Sequence, residues 1–507
     1  MKKVILLFIS IFALSSLNAQ DFTDALRYAQ DEISGTARFK AMGGAFGALG
    51  GDLSAININP ASSVIFNSSK AAFTLGYSSS NNDVSYFNGQ NSSSDDNFNL
   101  TQGGGVFVYA NSNPNTKWNK LSLGVAYDRT NDFNNSWLAS TSNASTSIAE
   151  YFRGFAQGLR LDQISALPGE TLSEAYSDIG NVFGFENQQA FLGFESFILE
   201  PETDSDDNVN YDSNIAGNNF NQRYSLVSTG YNGKMAFNVA AEYDKKISLG
   251  FNLNVHFLNY ERTTFFDESN SNAASVVTAV GFDNSLLTTG TGVSFQLGSI
   301  FKVTKEFRLG LTYNSPTWYR ISEETSQFLQ TTVDGFDNPV IISPNIVNIF
   351  PEYKLRTPGK VTGSLAYVFG EKGLLSFDYS RKDFGNSIFR PTDDIFFSQQ
   401  NNEISNILGV SNTYRLGGEY RYKAFSFRGG YRVEGSPFED ENLFGGDLTA
   451  YSLGLGYSLG DFNIDVAFSQ SQREQSELLF SNAPTFNEAA SVDTRLTDVV
   501  LTLTFGI

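Results

Sequence analysis

The 507-residue chain contains no cysteine, a single histidine and only three methionines and three tryptophans. Without cysteine it can form no disulfide, thiolate metal site or cysteine nucleophile. The single histidine excludes a histidine-rich metal centre, and no catalytic triad, carboxylate pair or cofactor motif is recognisable, so the sequence predicts neither an enzyme nor a metal or cofactor site. Positive charge is also scarce: 34 basic residues oppose 54 acidic ones, and the net charge of −20 argues against nucleic acid as a partner.

Long apolar runs are missing after the first 20 residues, and the mean hydropathy is −0.21. A transmembrane helix needs about 20 apolar residues, so a helical membrane protein is excluded. A β-barrel is not excluded, because only alternate residues of a spanning strand face lipid. At the start of the chain, Lys2 and Lys3 precede the apolar run 4–14, and Leu17-Asn18-Ala19 is an acceptable cleavage site. This pattern predicts a signal peptide over residues 1–19, with Gln20 as the mature N-terminus.

Alternation of apolar and polar residues is abundant, as are aromatic residues and glycine, with 46 Phe, 23 Tyr and 45 Gly. At the end of the chain every second residue from Val499 to Ile507 is apolar, while Asp498, Thr502 and Thr504 occupy the positions between them or just before them. This period of two is typical of a β-strand with one apolar face. The same pattern predicts about fourteen strands, at residues 70–79, 102–110, 119–132, 233–243, 247–266, 288–303, 306–325, 358–369, 373–386, 411–422, 425–436, 448–458, 462–473 and 494–507.

The links between these strands are alternately short and long. Those after even-numbered strands are brief, as at 244–246, 423–424 and 460–461, whereas those after odd-numbered strands are longer and rich in Asn, Ser, Asp and Gly. Such alternation is typical of bacterial outer-membrane barrels whose termini both lie in the periplasm. The predicted fold is therefore all-β, a transmembrane antiparallel β-barrel of about 14 strands in the outer membrane of a Gram-negative bacterium, present as a monomer surrounded by outer-membrane lipid.

Parity within the strands predicts which face meets lipid. In strand 425–436, Phe425 and Phe427 share one face, and Arg428 and Arg432 share the other. The reverse orientation would place two arginines in lipid at about 2–4 kcal/mol each near the midplane, more than the spread of strand propensities, about 1 kcal/mol. The charges are therefore predicted to face the lumen. The same rule places His256, Arg308, Arg415, Glu419, Asp378 and Asp465 inward.

The link 133–232 is too long for a simple loop and is predicted to be an extracellular, partly helical insertion. Ser147-x-x-Glu150 and Thr171-x-x-Glu174 have the spacing of capping boxes. Phe152 and Phe155 follow the first box on one helical face. Two interpretations stay open and are compatible: these aromatics pack together to close the barrel, or they form an exposed apolar groove where a ligand first binds.

A segment rich in small residues precedes the first strand. It contains Ala37-Arg38, then Met42-Gly43-Gly44-Ala45-Phe46, Asp52, Ser54-Ala55 and Asn59-Pro60-Ala61. Small residues allow close backbone packing and tight turns. Because this segment comes before the barrel and is not itself a membrane strand, we expect it to lie inside the lumen.

These motifs closely resemble the hatch of the FadL/OmpP1 family, outer-membrane transporters of long-chain fatty acids and other hydrophobic compounds. The resemblance extends to Arg308–Pro316, Leu355–Pro358 and Tyr414–Pro437. It implies passive transport of a hydrophobic small molecule, which is caught by the outer loops, passed to a pocket in the lumen and released when the hatch moves. The exit, sideways into the membrane or into the periplasm, stays open.

The sequence thus predicts three parts: a signal peptide (1–19), a hatch (20–68) and a barrel (69–507) with the insertion 133–232. The predicted hatch residues are Met42, Gly43, Gly44, Ala45, Phe46, Asp52, Asn59, Pro60 and Ala61. The candidate ligand-binding residues are Arg308, Arg415, Arg428, Arg432, His256, Phe152 and Phe155. The arginines either bind a carboxylate headgroup or pair with the lumen acids. An alternative function is a structural or interaction barrel of the same fold, such as a secretion-system shuttle or an adhesin.

Overall fold

The structure is a computed structural model that describes residues 20–113 and 115–507. The predicted signal peptide, residues 1–19, lies outside the described residues.

Fourteen antiparallel strands form a closed barrel, in which each strand pairs with the next and the last pairs with the first. Closure is direct, since Lys70 of the first strand lies opposite Gly506 of the last. Four strands are interrupted and continue as a second segment. The strands are β1 Lys70–Tyr86, β2 Gly89–Ala110, β3 Trp118–Asp132 and Asn135–Ala144, β4 Phe220–Tyr243, β5 Ile247–Ser269, β6 Val277–Lys302, β7 Phe307–Asn314 and Trp318–Val333, β8 Tyr353–Arg356 and Lys360–Val368, β9 Gly373–Asp383 and Ile388–Arg390, β10 Val410–Tyr422, β11 Phe425–Glu434, β12 Leu448–Leu459, β13 Phe462–Leu478 and β14 Ala489–Gly506.

All fourteen predicted strands are present, and the prediction of a barrel is confirmed. The prediction of a long link between the first two strands is wrong: β1 pairs with β2 along its whole length, and the two strands are joined only by Phe87 and Asn88. The Ser- and Asn-rich residues 80–101 are strand because they still alternate between an inner and an outer face. Beyond the hydrocarbon layer neither face needs to be apolar, so the apolar pattern disappears while the strand continues.

The predicted faces of the strands are also confirmed. Phe425 and Phe427 are exposed on the outer surface, whereas Arg428 and Arg432 are buried inside. The outer surface is apolar all round the barrel, with exposed Leu, Val and Phe flanked by Tyr and Trp. An exposed apolar surface of this extent is stable only when lipid covers it.

The two ends of the barrel differ. One end, which we call the turn rim, carries the short links 111–117, 244–246, 303–306, 369–372, 423–424 and 460–461. Its tight turns include residues with positive φ, such as Lys245 (55°) and Lys423 (55°). The other end, the loop rim, carries the long links, with β1 beginning and β14 ending at the turn rim.

Residues 20–69, which we call the inner segment, lie within the barrel. The segment contains helix α1 (Phe22–Ala29), helix α2 (Ala37–Ala41) and two 3₁₀ turns, Ser54–Asn57 and Pro60–Ile65. Helix α1 packs near the loop rim against Phe133, Tyr260 and Phe444. The chain then descends to the turn rim and enters β1.

Residues 145–219, which we call the lid, cover the loop rim with helices α3 (Ala149–Ala156), α4 (Leu172–Phe183) and α5 (Phe185–Glu195). The capping box at Thr171 and Glu174 is formed. The box predicted at Ser147 is wrong: the Ser147 hydroxyl accepts from Ala149 N–H and donates to Glu268, and Glu150 pairs with Arg153 instead.

Two further helices, α6 (Ile395–Ile407) and α7 (Glu441–Phe444), lie in other links of the loop rim. Among the described residues, no helix is long and apolar enough to cross a membrane.

Candidate functional site

A cavity of about 330 Å³, the upper cavity, lies beneath the lid and above α1. Apolar and aromatic side chains from the lid, the inner segment and the barrel wall form much of its surface. They are Phe22, Leu26, Phe133, Trp137, Tyr151, Phe185, Tyr224, Leu226, Tyr260, Leu286, Phe438, Phe444, Leu478, Leu479 and Phe480. A cavity with this lining suits an apolar ligand of small cross-section.

Two arginines face the upper cavity. Arg27 of α1 pairs with Asp24 and lies over the ring of Tyr260, 4.5 Å from its centroid. Arg262 of β5 has no carboxylate within 4.0 Å among the described residues. The cavity lining also contains three further carboxylates, those of Asp21, Asp132 and Glu477. None of them forms an ion pair with Arg262, so this cation remains available to an anionic group.

A second cavity of about 310 Å³, the lower chamber, lies between the inner segment and strands β1 to β3 and β8 to β14. Its wall is polar and charged, and it includes Asp31, Lys360, Arg415 and Glu434. Trp137 contributes to both cavities. A solute that leaves the upper cavity toward the turn rim therefore meets charged groups next.

The inner segment is held by polar side chains that the barrel strands direct inward. Arg308 donates to Leu49 O (2.9 Å), Asn252 to Ile56 O (2.9 Å) and Asn238 to Pro60 O (2.9 Å). Asp378 accepts from the backbone N–H groups of Phe46 and Gly47, each at 3.0 Å. Because a buried backbone group must find a partner, these side chains fix the path of a segment that has little regular structure.

Inward-facing glycines let this segment approach the wall. A methyl group on Gly310 would lie 2.3 Å from Gly47 O, and one on Gly430 would lie 2.3 Å from Gly43 N. Six strand glycines have such contacts with the inner segment. They are Gly250, Gly298, Gly310, Gly417, Gly430 and Gly454.

We call the part of the barrel wall formed by these six glycines the seat, and the predicted hatch residues belong to the inner segment that lies in it. Asp52 accepts from Thr36 Oγ1 (2.7 Å) and Ser54 N–H (3.0 Å), and Asn59 donates to Gly47 O (2.7 Å). Among the predicted hatch residues, glycine is required at positions 43 and 44, because Gly43 and Gly44 have φ of 61° and 74°. Met42, Ala45, Phe46, Asn59 and Ala61 are fully buried, and Asp52 is 7% exposed.

The candidate ligand-binding arginines differ in their surroundings. Arg428 is paired with Glu419 (2.7 Å) and Asp465 (2.5 Å), and Glu419 also pairs with Arg38 of the inner segment (2.8 Å). Arg308 holds Leu49 O, as described above. Arg432 pairs with Glu434 at 2.8 Å. Arg415 has no such partner among the described residues and faces the lower chamber.

The remaining candidates lie away from the cavity surfaces. His256 lies 2.9 Å from Ser294 Oγ and packs against Tyr319, outside the lining of both cavities. Phe152 and Phe155 are buried in the aromatic core of the lid, and their neighbours Tyr151 and Phe185 face the upper cavity instead.

Arg262 and Arg27 were not predicted from the sequence. Arg262 does have a signal, since it continues the inward parity of Asn252, Asn254 and His256. Nothing in the sequence, however, indicates that α1 lies at its level in the barrel. The sequence also shows that the seat glycines lie on the inward face of their strands. It does not show that the inner segment passes directly over them, so their role was not predicted.

Strands β2 and β3 are hydrogen-bonded to each other over only part of their length. The backbones pair only from Gln102 opposite Asp128 to Ala110 opposite Lys120. Above this level β3 bends at Phe133, and its continuation pairs with β4. We call the unpaired stretch, Gly89–Thr101 of β2 facing 129–144 of β3, the seam.

Side chains close the seam. Asn97 and Asn99 donate to Asp132 Oδ2 at 2.9 and 3.0 Å, and Arg129 donates to Asn99 and to Asp132. The inner segment also reaches it, because Glu32 N–H donates to Thr130 O at 2.8 Å. The seam is therefore a part of the wall that can open without breaking a strand ladder.

The pKa values of two neighbouring acids of the inner segment, Asp31 and Glu32, are shifted in opposite directions. Withdrawal from bulk water opposes ionisation of Asp31, but Lys382 and Lys360 outweigh it and hold its pKa well below the usual range. Withdrawal from bulk water raises the pKa of Glu32 to about 8, and the carboxylate of Asp132 adds to this shift. Asp31 thus binds the wall as an anion, whereas Glu32 favours its neutral form.

Residues 203–506 match the family described as outer membrane protein transport protein (OMPP1/FadL/TodX). No curated protein matches the chain significantly. A solved structure of a Pseudomonas aeruginosa FadL homologue is 12% identical, with a TM-score of 0.54, over 94% of this chain and 99% of that one. The toluene transporter TodX of P. putida is 14% identical, with a TM-score of 0.50, over 94% and 99% of the two chains. At such identities the likeness shows the fold.

The family match covers more than half of the chain, and the solved structures share its barrel. The chain therefore belongs to the OMPP1/FadL/TodX family, whose members transport hydrophobic compounds across the outer membrane.

Proposed function

We propose that this protein carries hydrophobic compounds with an anionic head, of the long-chain fatty-acid type, and binds them first in the upper cavity. The observation that supports this most is the position of Arg262 in a cavity with many aromatic side chains and with no carboxylate within 4.0 Å of it among the described residues. Burial of an acyl chain contributes about 25 cal/mol per Å². A guanidinium can bind a carboxylate through two parallel hydrogen bonds.

The inner segment acts as the hatch in this proposal. It separates the upper cavity from the turn rim, and both polar contacts and apolar clusters with the barrel wall hold it in its seat. Its contact with the seam at Thr130 links hatch movement to a route through the wall. Exit into lipid suits an apolar solute, because the solute never has to be rehydrated.

We assign the turn rim to the periplasm and the lid to the outside. Both ends of the barrel sequence, Lys70 and Ile507, then lie on the periplasmic side, while Gln20 is enclosed in the lumen, where it donates to Glu323 at 2.6 Å. One chain closes the barrel, which supports a monomer with lipid on its outer face.

Uptake of labelled dodecanoate by a deletion strain that carries the wild-type protein tests the proposal. We expect uptake well above that of the empty strain, and a loss of about tenfold or more in affinity for Arg262→Met, the size of a lost charge-assisted hydrogen bond. Uptake of dodecanol should not change in this variant. Arg320→Gln is the matched control, since that side chain is 66% exposed on the outer face. Equal dodecanoate uptake with and without the protein would refute the function.

A further inference from the structure

Five basic residues on the barrel strands face the lower chamber and form what we call the basic wall. They are Lys360, Lys382, Arg415, Arg432 and Arg473. Two pairs of like charge are direct cross-strand neighbours: Lys360 lies opposite Lys382, and Arg415 lies opposite Arg432. Like charges in such positions destabilise a sheet. The basic wall is therefore stable only with anions close to it.

Two carboxylates are close to the basic wall. Asp31 of the inner segment lies 3.4 Å from Lys360 Nζ and 3.6 Å from Lys382 Nζ. Glu434 lies 2.8 Å from Arg432 and 3.9 Å from Arg473. A third acid, Asp378, turns its oxygens to the backbone of the inner segment. Positive charge thus exceeds negative charge on this wall.

Arg415 is the member of the basic wall that has no ion pair among the described residues, because its cross-strand neighbour Asp378 accepts from the inner segment instead. The Arg415 side chain faces the chamber and is 7% exposed, yet no carboxylate lies within 4.0 Å of it among the described residues. Its Nε also has no hydrogen-bond partner there. A buried guanidinium in this state binds an incoming oxyanion strongly, because such an anion restores the pairing that burial requires.

We propose that the basic wall is an oxyanion-binding site in which Asp31 is the resident anion, and that an incoming oxyanion binds at Arg415 and displaces Asp31 from Lys360 and Lys382. The ligand chemistry is a carboxylate or phosphate group, carried by an amphiphile or free in solution. For the amphiphile, the inference builds on the proposed function, because the same headgroup would bind first at Arg262.

The position of Asp31 gives this exchange a consequence. The next residue, Glu32, is the one whose N–H donates to Thr130 at the seam. Release of Asp31 removes the ionic contact that holds this part of the inner segment against the opposite wall. Binding at the basic wall would therefore release the hatch next to the seam.

A single cysteine reports this release, since the chain has none of its own. Ser34→Cys lies in the inner segment and faces the lower chamber. In purified full-length protein we expect dodecanoate to accelerate labelling by a water-soluble maleimide about tenfold, and dodecanol to have no effect. Inorganic phosphate is tested alone. Acceleration by phosphate would identify a free oxyanion as a sufficient ligand, and acceleration by dodecanoate alone would identify the amphiphile.

Variants separate this site from the upper cavity. In the Ser34→Cys background, Asp31→Asn should label rapidly without ligand, and Arg415→Gln should lose the response while dodecanoate still binds at Arg262. Arg415→Lys keeps the charge and should retain part of the response, and Arg320→Gln should retain all of it. If dodecanoate binds, as measured by calorimetry, but neither anion changes labelling, the exchange is refuted and the proposed function survives.

Discussion

At the scale of single residues, Glu419 is a lumen acid that pairs with three arginines. Its carboxylate is buried and pairs with Arg38, Arg421 and Arg428, so it joins the inner segment to two barrel strands. In Glu419→Gln the arginines lose their shared anion, and an unpaired buried charge costs about 3–5 kcal/mol. We expect a loss of this order in the free energy of unfolding, measured by urea titration in lipid.

The control for Glu419 is the same change at a carboxylate that is more than half exposed. Glu352 lies 3.9 Å from Arg320, and both side chains are more than half exposed. Glu352→Gln should change stability by less than about 1 kcal/mol. Equal losses in the two variants would mean that the Glu419 pairs do not hold the inner segment.

The raised pKa of Glu32 predicts that docking of the inner segment depends on pH. The pKa of this carboxyl is about 8 in the folded protein, above its ordinary value, so its contribution to docking is present in acid and is lost as the pH rises toward 8. Asp31 has the opposite sign, and its contribution is lost only in acid. Hydrogen exchange of residues 20–69, corrected for intrinsic rates, should therefore show faster opening at about pH 9 than at about pH 5.

Glu32→Gln should remove this rise, because its amide does not titrate. If the variant opened as the wild type does over the same range, another group would be responsible.

Parity in the sequence identified the lumen-facing arginines but not their roles. Arg415 and Arg428 share an inward orientation on neighbouring strands, yet Arg415 has no carboxylate within 4.0 Å among the described residues, whereas Arg428 pairs with two. Arg428 lies opposite Glu419 and also pairs with Asp465, whereas Asp378, which lies opposite Arg415, accepts from the backbone of the inner segment instead. The path of that segment is a tertiary property, so no local pattern contains it.

At the scale of elements, the fit of the inner segment depends on glycines of the barrel. Gly310→Ala would place a methyl group 2.3 Å from Gly47 O, and relief of such a contact costs about 1–3 kcal/mol. We expect the inner segment to be displaced and to be cut sooner by a protease added to the purified barrel. Gly363→Ala is the matched control on the neighbouring strand, because a methyl group there meets nothing within 4 Å among the described residues. Equal protection in both variants would contradict the proposed seat.

The strands were predictable because lipid imposes a period of two on every spanning stretch. Outside the lipid the pattern changes, which is why residues 80–101 were expected to be a loop although they are strand. The lid was predictable only as helical, since its Thr171 cap is local whereas Ser147 is diverted to Glu268 of β5. A prediction from a local motif was therefore correct where no distant residue competed for the same side chain.

At the scale of the whole molecule, lid, upper cavity, inner segment and seam form a series from the loop rim to the barrel wall. The seam exit predicts that a covalent bridge between β2 and β3 stops transport. Asn97 and Asn134 both donate to Asp132, at 2.9 and 2.5 Å, so Asn97→Cys/Asn134→Cys joined by a short reducible thiol reagent would span the seam. We expect dodecanoate uptake to fall when the bridge forms and to return on reduction, while binding to Arg262 is unchanged.

The control bridge for the seam is Asp83→Cys/Ser92→Cys, a cross-strand pair within the β1–β2 hairpin. It ties two strands that are already fully paired and should leave uptake unchanged. If the seam bridge also left uptake unchanged, the solute would have to leave through the turn rim, past the whole length of the inner segment. That route requires the segment to vacate its glycine seat, so it would also open an aqueous path and appear as ion conductance whenever substrate is carried. Transport without conductance, blocked by the seam bridge, is the combination that only a lateral exit produces.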